Sequence, residues 1–177
     1  MLVISGSARG DGNTSRTVEH LRRALGLRDE HVVDLQARRL EPFRYDPPPA
    51  ADDFQAIVDR VLAHQHIVFA TPVYWYAMSG LMKTFFDRLT DLLLTPDGRR
   101  TGRALAGRDV WVIATGTDPH LPDGFEIPFA HTAEYFGMRW RQAFYVQVPN
   151  NPLPAGHHFP VVQDLAAAIG AAQKSAA

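Results

Sequence analysis

The chain has no cysteine among its 177 residues. That single absence excludes disulfides, thiolate nucleophiles, cysteine-ligated zinc and iron-sulfur clusters, so any redox chemistry must come from a bound organic cofactor. Neither charge is in excess: 18 Lys and Arg stand against 19 Asp and Glu, a formal net charge of -1. No global field therefore draws the chain to nucleic acid or to an anionic membrane. Long hydrophobic runs are missing as well, and the opening MLVISGSARG carries neither a basic leader nor an extended apolar segment. No membrane span or secretion signal is expected, and the expected compartment is the cytoplasm. A bias toward disorder is also lacking, since 46% hydrophobic and 21% charged residues are ordinary globular values. The length suits one domain covering residues 1–177.

What is present is a repeated alternation. Leu2-Val3-Ile4 is a short apolar run, followed by the small-residue segment SGSARGDGNTS, then by Val18, Leu21 and Leu25 at the i, i+3, i+7 spacing of one helix face. His31 to Asp34 is a second short strand pattern. The segment 36–53 then interrupts with four prolines, and a loop of that length inside a compact domain is usually functional or an interface element. Asp52 or Asp53 can cap a helix carrying Phe54, Ile57, Val58 and Val61.

HIVFA at 66–70 and DVWVIAT at 109–115 are continuous apolar runs, expected of strands covered on both faces. From Met78 the spacing predicts one helix, with apolar residues as far as Leu93. Its stripe is wider than one sheet face requires and points to a second packing partner such as another subunit. Thr95-Pro96-Asp97-Gly98 reads as a turn, and the arginine-rich segment after it as a loop or short hairpin. A helix is expected over 125–136. MRWRQAFYVQV is a strand with one wetter face, placed at the sheet edge, and Val161 to Ile169 form a last helix.

Five strands alternating with five helices imply an α/β fold with a parallel sheet covered on both faces, because right-handed crossovers allow little else. The five-stranded order that fits best is 2-1-3-4-5, the flavodoxin-like three-layer sandwich. Ligands bind such sheets outside the carboxyl ends of the strands, at the switch point between the first and third. Three loops leave those ends.

The first loop offers the hydroxyls of Ser5, Ser7, Thr14 and Ser15, the Asn13 amide and Arg9, with glycines at 6, 10 and 12, all before a helix start. Bare amides at a helix N-terminus with short hydroxyls form an anion cradle sized for one phosphate group, the alternative being a capped flexible loop. The lysine of a triphosphate loop and the GxGxxG spacing are both absent. In the second loop Pro72-Val73-Tyr74-Trp75-Tyr76 can wall a planar ring, or serve core or interface packing. The third, ATGTDPH, has Thr115 and Thr117 hydroxyls, and Gly116 for close backbone approach.

GSARGDGNTS after the first strand and TPVYWYAMSGLMKTFFDR after the third resemble the flavodoxin-like NAD(P)H-dependent FMN reductases, over nearly the whole chain. The resemblance implies that Ser7, Arg9, Asn13, Thr14 and Ser15 hold the FMN phosphate. It implies further that Pro72, Val73, Tyr74 and Trp75 line the ribityl chain and ring, and that Thr115 and Gly116 close the ring's other edge. The implied reductant is NADPH or NADH, and the implied partner is a small-molecule electron acceptor, namely a quinone, a nitro-aromatic or free flavin. A homodimer or homotetramer is expected. The cofactor carries the chemistry, so no side chain need be a catalytic acid or base. Some relatives carry an iron-sulfur cysteine cluster in the region matching 36–53, which this chain lacks. Relatives also often show Gly-Ser where Tyr76-Ala77 stand here, which brings extra bulk near the ring.

Two rivals use the same fold. An electron-carrying flavodoxin would have a strongly acidic surface, which a net charge of -1 does not supply. A flavin-free regulatory domain would have no need of the phosphate loop. His64, His66 and the pair His157-His158 have no third ligand at a recognisable spacing, so no metal site is expected. Asn13-Thr14-Ser15 matches a glycosylation acceptor pattern, and no G-x-S-x-G elbow occurs. Arg99, Arg100, Arg103 and Arg108 are read either as a solvated loop or as partners for a nucleotide 2′-phosphate.

Overall fold

The two longest apolar runs pair side by side at the centre of one sheet. In the computed structural model, which describes residues 1–46, 52–149 and 159–175, the strands are Leu2–Ser5 (β1), Val32–Asp34 (β2), His66–Tyr74 (β3), Ala77–Met78 (β4), Asp109–Gly116 (β5) and Arg139–Gln147 (β6). Five are parallel in the order β2-β1-β3-β5-β6, while β4 folds back antiparallel on β3. Numbered among themselves, the five parallel strands follow the expected 2-1-3-4-5. The extra strand is a hairpin arm that the sequence did not announce.

β1, β3 and β5 are buried almost throughout because both their faces are covered. β6, at the edge, alternates between buried and exposed residues as expected. Side chains leave a strand on alternate faces, and the core is divided accordingly. On one side Val3, Val68, Trp111 and Ile113 meet Val18 and Leu21 of Asn13–Ala24 (α1), and Val162, Leu165 and Ile169 of Pro160–Ser175 (α7). On the other side Leu2, Ile4, Ile67 and Val112 meet Phe54–Leu62 (α2), Gly80–Arg88 (α3) and Ile127–Tyr135 (α6).

Two expectations are corrected here. The apolar stretch from Met78 to Leu93 is not one helix: Met78 is in β4, Ser79 caps α3, and after Leu89 the chain restarts as Asp91–Leu94 (α4). Met82, Phe85, Leu89 and Leu92 enter the core, and Phe86 stacks edge-on to Phe129 of α6 at 5.1 Å, so part of the stripe's second partner is the chain itself. The Thr95-Pro96-Asp97-Gly98 segment starts a helix, Pro96–Ala104 (α5). Thr95 Oγ1 accepts from the Gly98 amide at 2.9 Å and Pro96 occupies the first turn. Turn and helix start share this chemistry, since both need a side-chain acceptor and a preset φ.

The arginine-rich segment is therefore helical. Arg108, just beyond it, donates to the carbonyls of Val61, Leu62 and Ala104. That holds it at the amino end of β5, the opposite end of the sheet from the ligand loops. Of the 36–53 segment, Gln36 reaches the first loop through Nε2 to Ala8 O at 3.0 Å, and Asp52 pairs with buried Arg88. Pro47, Pro48 and Pro49, and also His157 and His158, lie outside the described residues. No described helix is long and apolar enough to cross a membrane.

Candidate functional site

The carboxyl ends of β1, β3 and β5 are held together before any ligand is considered. The Gly6 amide donates to Ala70 O at 2.8 Å, and Pro72 pairs in register with Thr115. Ser79 adds a second tie: its Oγ donates to Gly6 O at 2.5 Å and accepts from the Met82 amide at 3.1 Å. One hydroxyl thus caps α3 and anchors the first loop to it.

Around these strand ends opens a cleft of about 150 Å³. All the residues that the resemblance assigns to the cofactor line it, except Ser15 and Trp75. Ser7 is buried and spans its own turn, donating to Arg9 O at 2.9 Å and accepting from the Arg9 amide at 3.3 Å. Ser15 Oγ donates to the same carbonyl at 2.8 Å. These two hydroxyls shape the loop and leave the exposed Arg9 side chain at the cleft. Asn13 Nδ2 donates to Pro149 O at 3.0 Å. The Thr14 and Thr115 hydroxyls meet at 2.5 Å in a buried pair across the cleft floor. Trp75 stands 92% exposed at the tip of the β3–β4 hairpin.

The cleft offers what an anionic group such as a phosphate needs, an open helix start and close backbone approach. Gly12 at the N-cap of α1 offers the first helical turn no side-chain acceptor, so the positive end of a 12-residue helix faces the cleft without an internal anion. A Cβ at Gly12 would stand 3.4 Å from Arg9 O and 3.7 Å from Ser7 Oγ, reaching into the concavity. At Gly116 the demand is stricter: a Cβ there would lie 2.7 Å from Tyr145 Oη and 3.3 Å from Val73 Cβ. Among the lining residues there is no carboxylate and no histidine, so the cleft supplies donors, backbone and ring surface, with the Arg9 guanidinium and the Tyr74 phenol as its ionisable side chains.

Sequence reasoning missed the contribution of β6. Val148 and Pro149 line the cleft because the Val148 amide donates to Gly116 O at 2.8 Å. Tyr145 braces the third loop, donating from Oη to Asp118 O at 2.7 Å, and burial, then the nearby Asp118 charge, raise its pKa. The available signal was the position of β6: a strand beside β5 in a 2-1-3-4-5 sheet brings its carboxyl end to the same rim. Two wider clefts, of about 390 and 380 Å³, lie where α3, α4 and α5 meet α6. Leu93, Tyr135 and Phe136 line both, without a convergent set of hydroxyls and amides. Among the described residues no group of three or more His, Cys, Asp and Glu could hold a metal ion.

A doubly wound sheet whose donor-lined cleft opens at the switch point is a flavodoxin-like fold of the mononucleotide-binding class. Comparison with known proteins narrows this class: residues 1–149 match the model of the NADPH-dependent FMN reductases, and the chain belongs to that family. It is 31% identical over 151 residues to a Bacillus subtilis (strain 168) protein carried under the name NAD(P)H-dependent FMN-containing oxidoreductase YwqN, covering 78% of this chain and 80% of that one. It is 28% identical over 127 residues to the FMN reductase (NADPH) of Escherichia coli (strain K12), covering 68% of this chain and 59% of that one. Among solved structures, the Trp repressor binding protein from Bacillus subtilis superposes with a TM-score of 0.70 at 25% identity, over 92% of each chain. The protein is accordingly an FMN-dependent, NAD(P)H-using oxidoreductase.

Proposed function

We propose that the protein passes reducing equivalents from NADPH or NADH through FMN to a quinone, a nitro-aromatic or a free flavin, acting as a single domain in the cytoplasm. The observation that carries this reading is the convergence, in one cleft without carboxylate or histidine, of an uncapped helix start, the Pro72-Val73-Tyr74 wall and a glycine-backed strand end. When bound, FMN would supply the hydride-accepting and electron-donating chemistry that the side chains lack. The side chains bind and orient. Ser7, Arg9, Asn13, Thr14 and Ser15, with the first amides of α1, hold the phosphate dianion. Pro72, Val73, Tyr74 and Trp75 border the ribityl chain and ring, and Thr115 and Gly116 close the opposite edge.

A visible spectrum tests the cofactor. Purified protein, as isolated or after adding FMN, is expected to show bound-flavin bands; a colourless preparation that gains none would sink the reading. Anaerobic mixing of the loaded protein with NADPH or NADH is expected to bleach those bands within seconds to minutes. A flavin that stays oxidised with both nucleotides would leave a carrier rather than a reductase.

The same reading includes a homodimer or homotetramer. Tyr135, 69% exposed, lines both wider clefts, Ile127, 50% exposed, lines one, and Leu94, 46% exposed, follows the cleft-lining Leu93. A second copy covering that face would remove a contiguous hydrophobic surface from water. Sedimentation at micromolar concentration is expected to show at least a dimer, and a monomer would refute this part.

A further inference from the structure

Two residues at the tip of the β3–β4 hairpin hold a backbone conformation that their side chains disfavour. Trp75 and Tyr76 have φ of 51° and 67°. The pairing of Tyr74 with Ala77 makes these two residues the entire loop. A two-residue hairpin loop with both residues at positive φ is of type I′, where Asn-Gly is the favoured pair. A bulky side chain in the left-handed region is strained, and such strain persists where function requires the residue.

The fold gains little burial from either ring, since Trp75 is 92% and Tyr76 70% exposed. A smaller pair would satisfy the hairpin better and lose little packing. The two rings are therefore suited to a partner outside the chain, and their position says which one. Tyr74, at the end of the same strand, lines the cleft, so the hairpin tip stands directly beyond its rim. Between Tyr74 and Ser79 there is no charged side chain that could select an ion. What the tip presents is aromatic surface, which takes flat conjugated partners by offset or edge-on stacking.

We propose that Trp75 and Tyr76 are the specificity-determining element for the electron acceptor, selecting flat conjugated rings of the quinone type over small acceptors that cannot stack. This inference rests on the FMN reading given above. The overall exchange balances: a quinone, NAD(P)H and one proton give the hydroquinone and NAD(P)+, with the nicotinamide supplying a hydride (two electrons and one hydrogen) and solvent the one proton.

The test compares the parent with the Tyr76→Gly variant and with the Trp75→Asn/Tyr76→Gly double variant, each loaded with FMN. First, a naphthoquinone is titrated into the oxidised proteins without reductant, following flavin absorbance and tryptophan emission. The parent is expected to bind about tenfold more tightly than the double variant, with Tyr76→Gly between them. Next, the ratio of kcat/KM for the naphthoquinone to that for ferricyanide is expected to fall by about tenfold in the double variant. Finally, thermal unfolding of Tyr76→Gly is expected at a higher temperature than the parent, because glycine relieves the strain at φ 67°.

Equal naphthoquinone affinity and an unchanged ratio, in proteins that all take up FMN, would overturn this inference while leaving the flavin reading intact. A parent that takes up no FMN would overturn both, and a double variant that alone takes up none would assign Trp75 to the cofactor and overturn its part in acceptor selection. A double variant that sediments as a smaller oligomer than the parent would make the hairpin a contact between copies and overturn acceptor selection.

Discussion

Thr14 and Thr115 show how tightly the cleft floor is specified. Their hydroxyls are each other's partners at 2.5 Å, and both residues are buried. Replacing one by valine leaves the other hydroxyl unsatisfied, whereas replacing both leaves an apolar contact of nearly the same shape. Thr14→Val or Thr115→Val alone is expected to cost the flavin-free protein about 1 to 3 kcal/mol in urea unfolding, and the double valine variant less than the sum. Additive costs would mean that the pair is not coupled. Gly116 makes a sharper case. Its missing Cβ leaves the space that Tyr145 Oη occupies at 2.7 Å, so Gly116→Ala must displace the ring that braces Asp118 O. Overpacking of this kind costs about 1 to 3 kcal/mol. Tyr145→Phe in the Gly116→Ala background is expected to recover part of that loss, as measured by thermal unfolding, because the offending oxygen is gone. No recovery would place the obstruction at Val73, whose Cβ would stand 3.3 Å away.

At the scale of elements, the joint between α2, α3 and α4 rests on one buried cation. The Arg88 side chain is 6% exposed; it pairs with Asp52, donates to Asp91 Oδ2 at 2.7 Å and to Glu41 O at 3.0 Å, and lies 4.7 Å over the Phe54 ring. Burial would raise the Asp52 pKa, but Arg88 and the amides of Glu41 and Phe54 outweigh it and hold the carboxyl below its usual value. Arg88→Met removes the partner and leaves that carboxylate buried, at a cost of about 3 to 5 kcal/mol. Adding Asp52→Asn is expected to restore part of the loss in urea unfolding, and a double variant no better than the single would show that Arg88 acts through packing alone.

Asp52 was legible as a helix cap, and its side chain accepts from the Phe54 amide at 3.0 Å, but its pairing with Arg88 was not, because the two are distant in the chain and ordinary in composition. The parallel order was legible, since HIVFA and DVWVIAT are unbroken apolar runs and only central parallel strands want both faces apolar. So was most of the cleft's lining apart from Val148 and Pro149 after β6, because strand ends in a 2-1-3-4-5 sheet converge by topology. The misread elements have local reasons. α5 opens on residues that serve a turn or a helix cap equally, and β4 returns through Trp75-Tyr76 in place of the Asn-Gly that signals a hairpin.

Over the whole molecule, the sheet is tied at its amino end by a second charged cluster, remote from the cleft. Asp109, 1% exposed, accepts from Arg139 Nε at 2.8 Å and Arg141 Nε at 2.7 Å; His66 Nδ1 stands 3.0 Å from its other oxygen without hydrogen-bond alignment. The first residues of β3, β5 and β6 thus share one carboxylate. Burial lowers the His66 pKa, and the Asp109 charge opposes this without overcoming it. His64 is lowered in the same sense by burial, against its bond to Arg60 O. A histidine whose folded pKa is depressed is protonated first in the unfolded chain, so its stabilising effect is complete above about pH 6.5 and is lost as pH falls toward the folded value. For Asp109, burial raises the pKa while the two arginines lower it further, and Asp52 behaves alike; both contributions disappear only below about pH 4. Stability is therefore expected to decline in two stages on acidification. Urea unfolding of the parent between pH 7 and pH 5 should lose more stability than that of His66→Gln, and His64→Gln/His66→Gln should be flatter still. All three proteins should fall together below about pH 4, where the carboxylates take up protons. Parallel curves down to pH 5 would mean that the imidazoles titrate alike in the folded and unfolded chains, leaving acid sensitivity to carboxylates with lowered pKa such as Asp52, Asp109 and the Arg22-bonded Glu19.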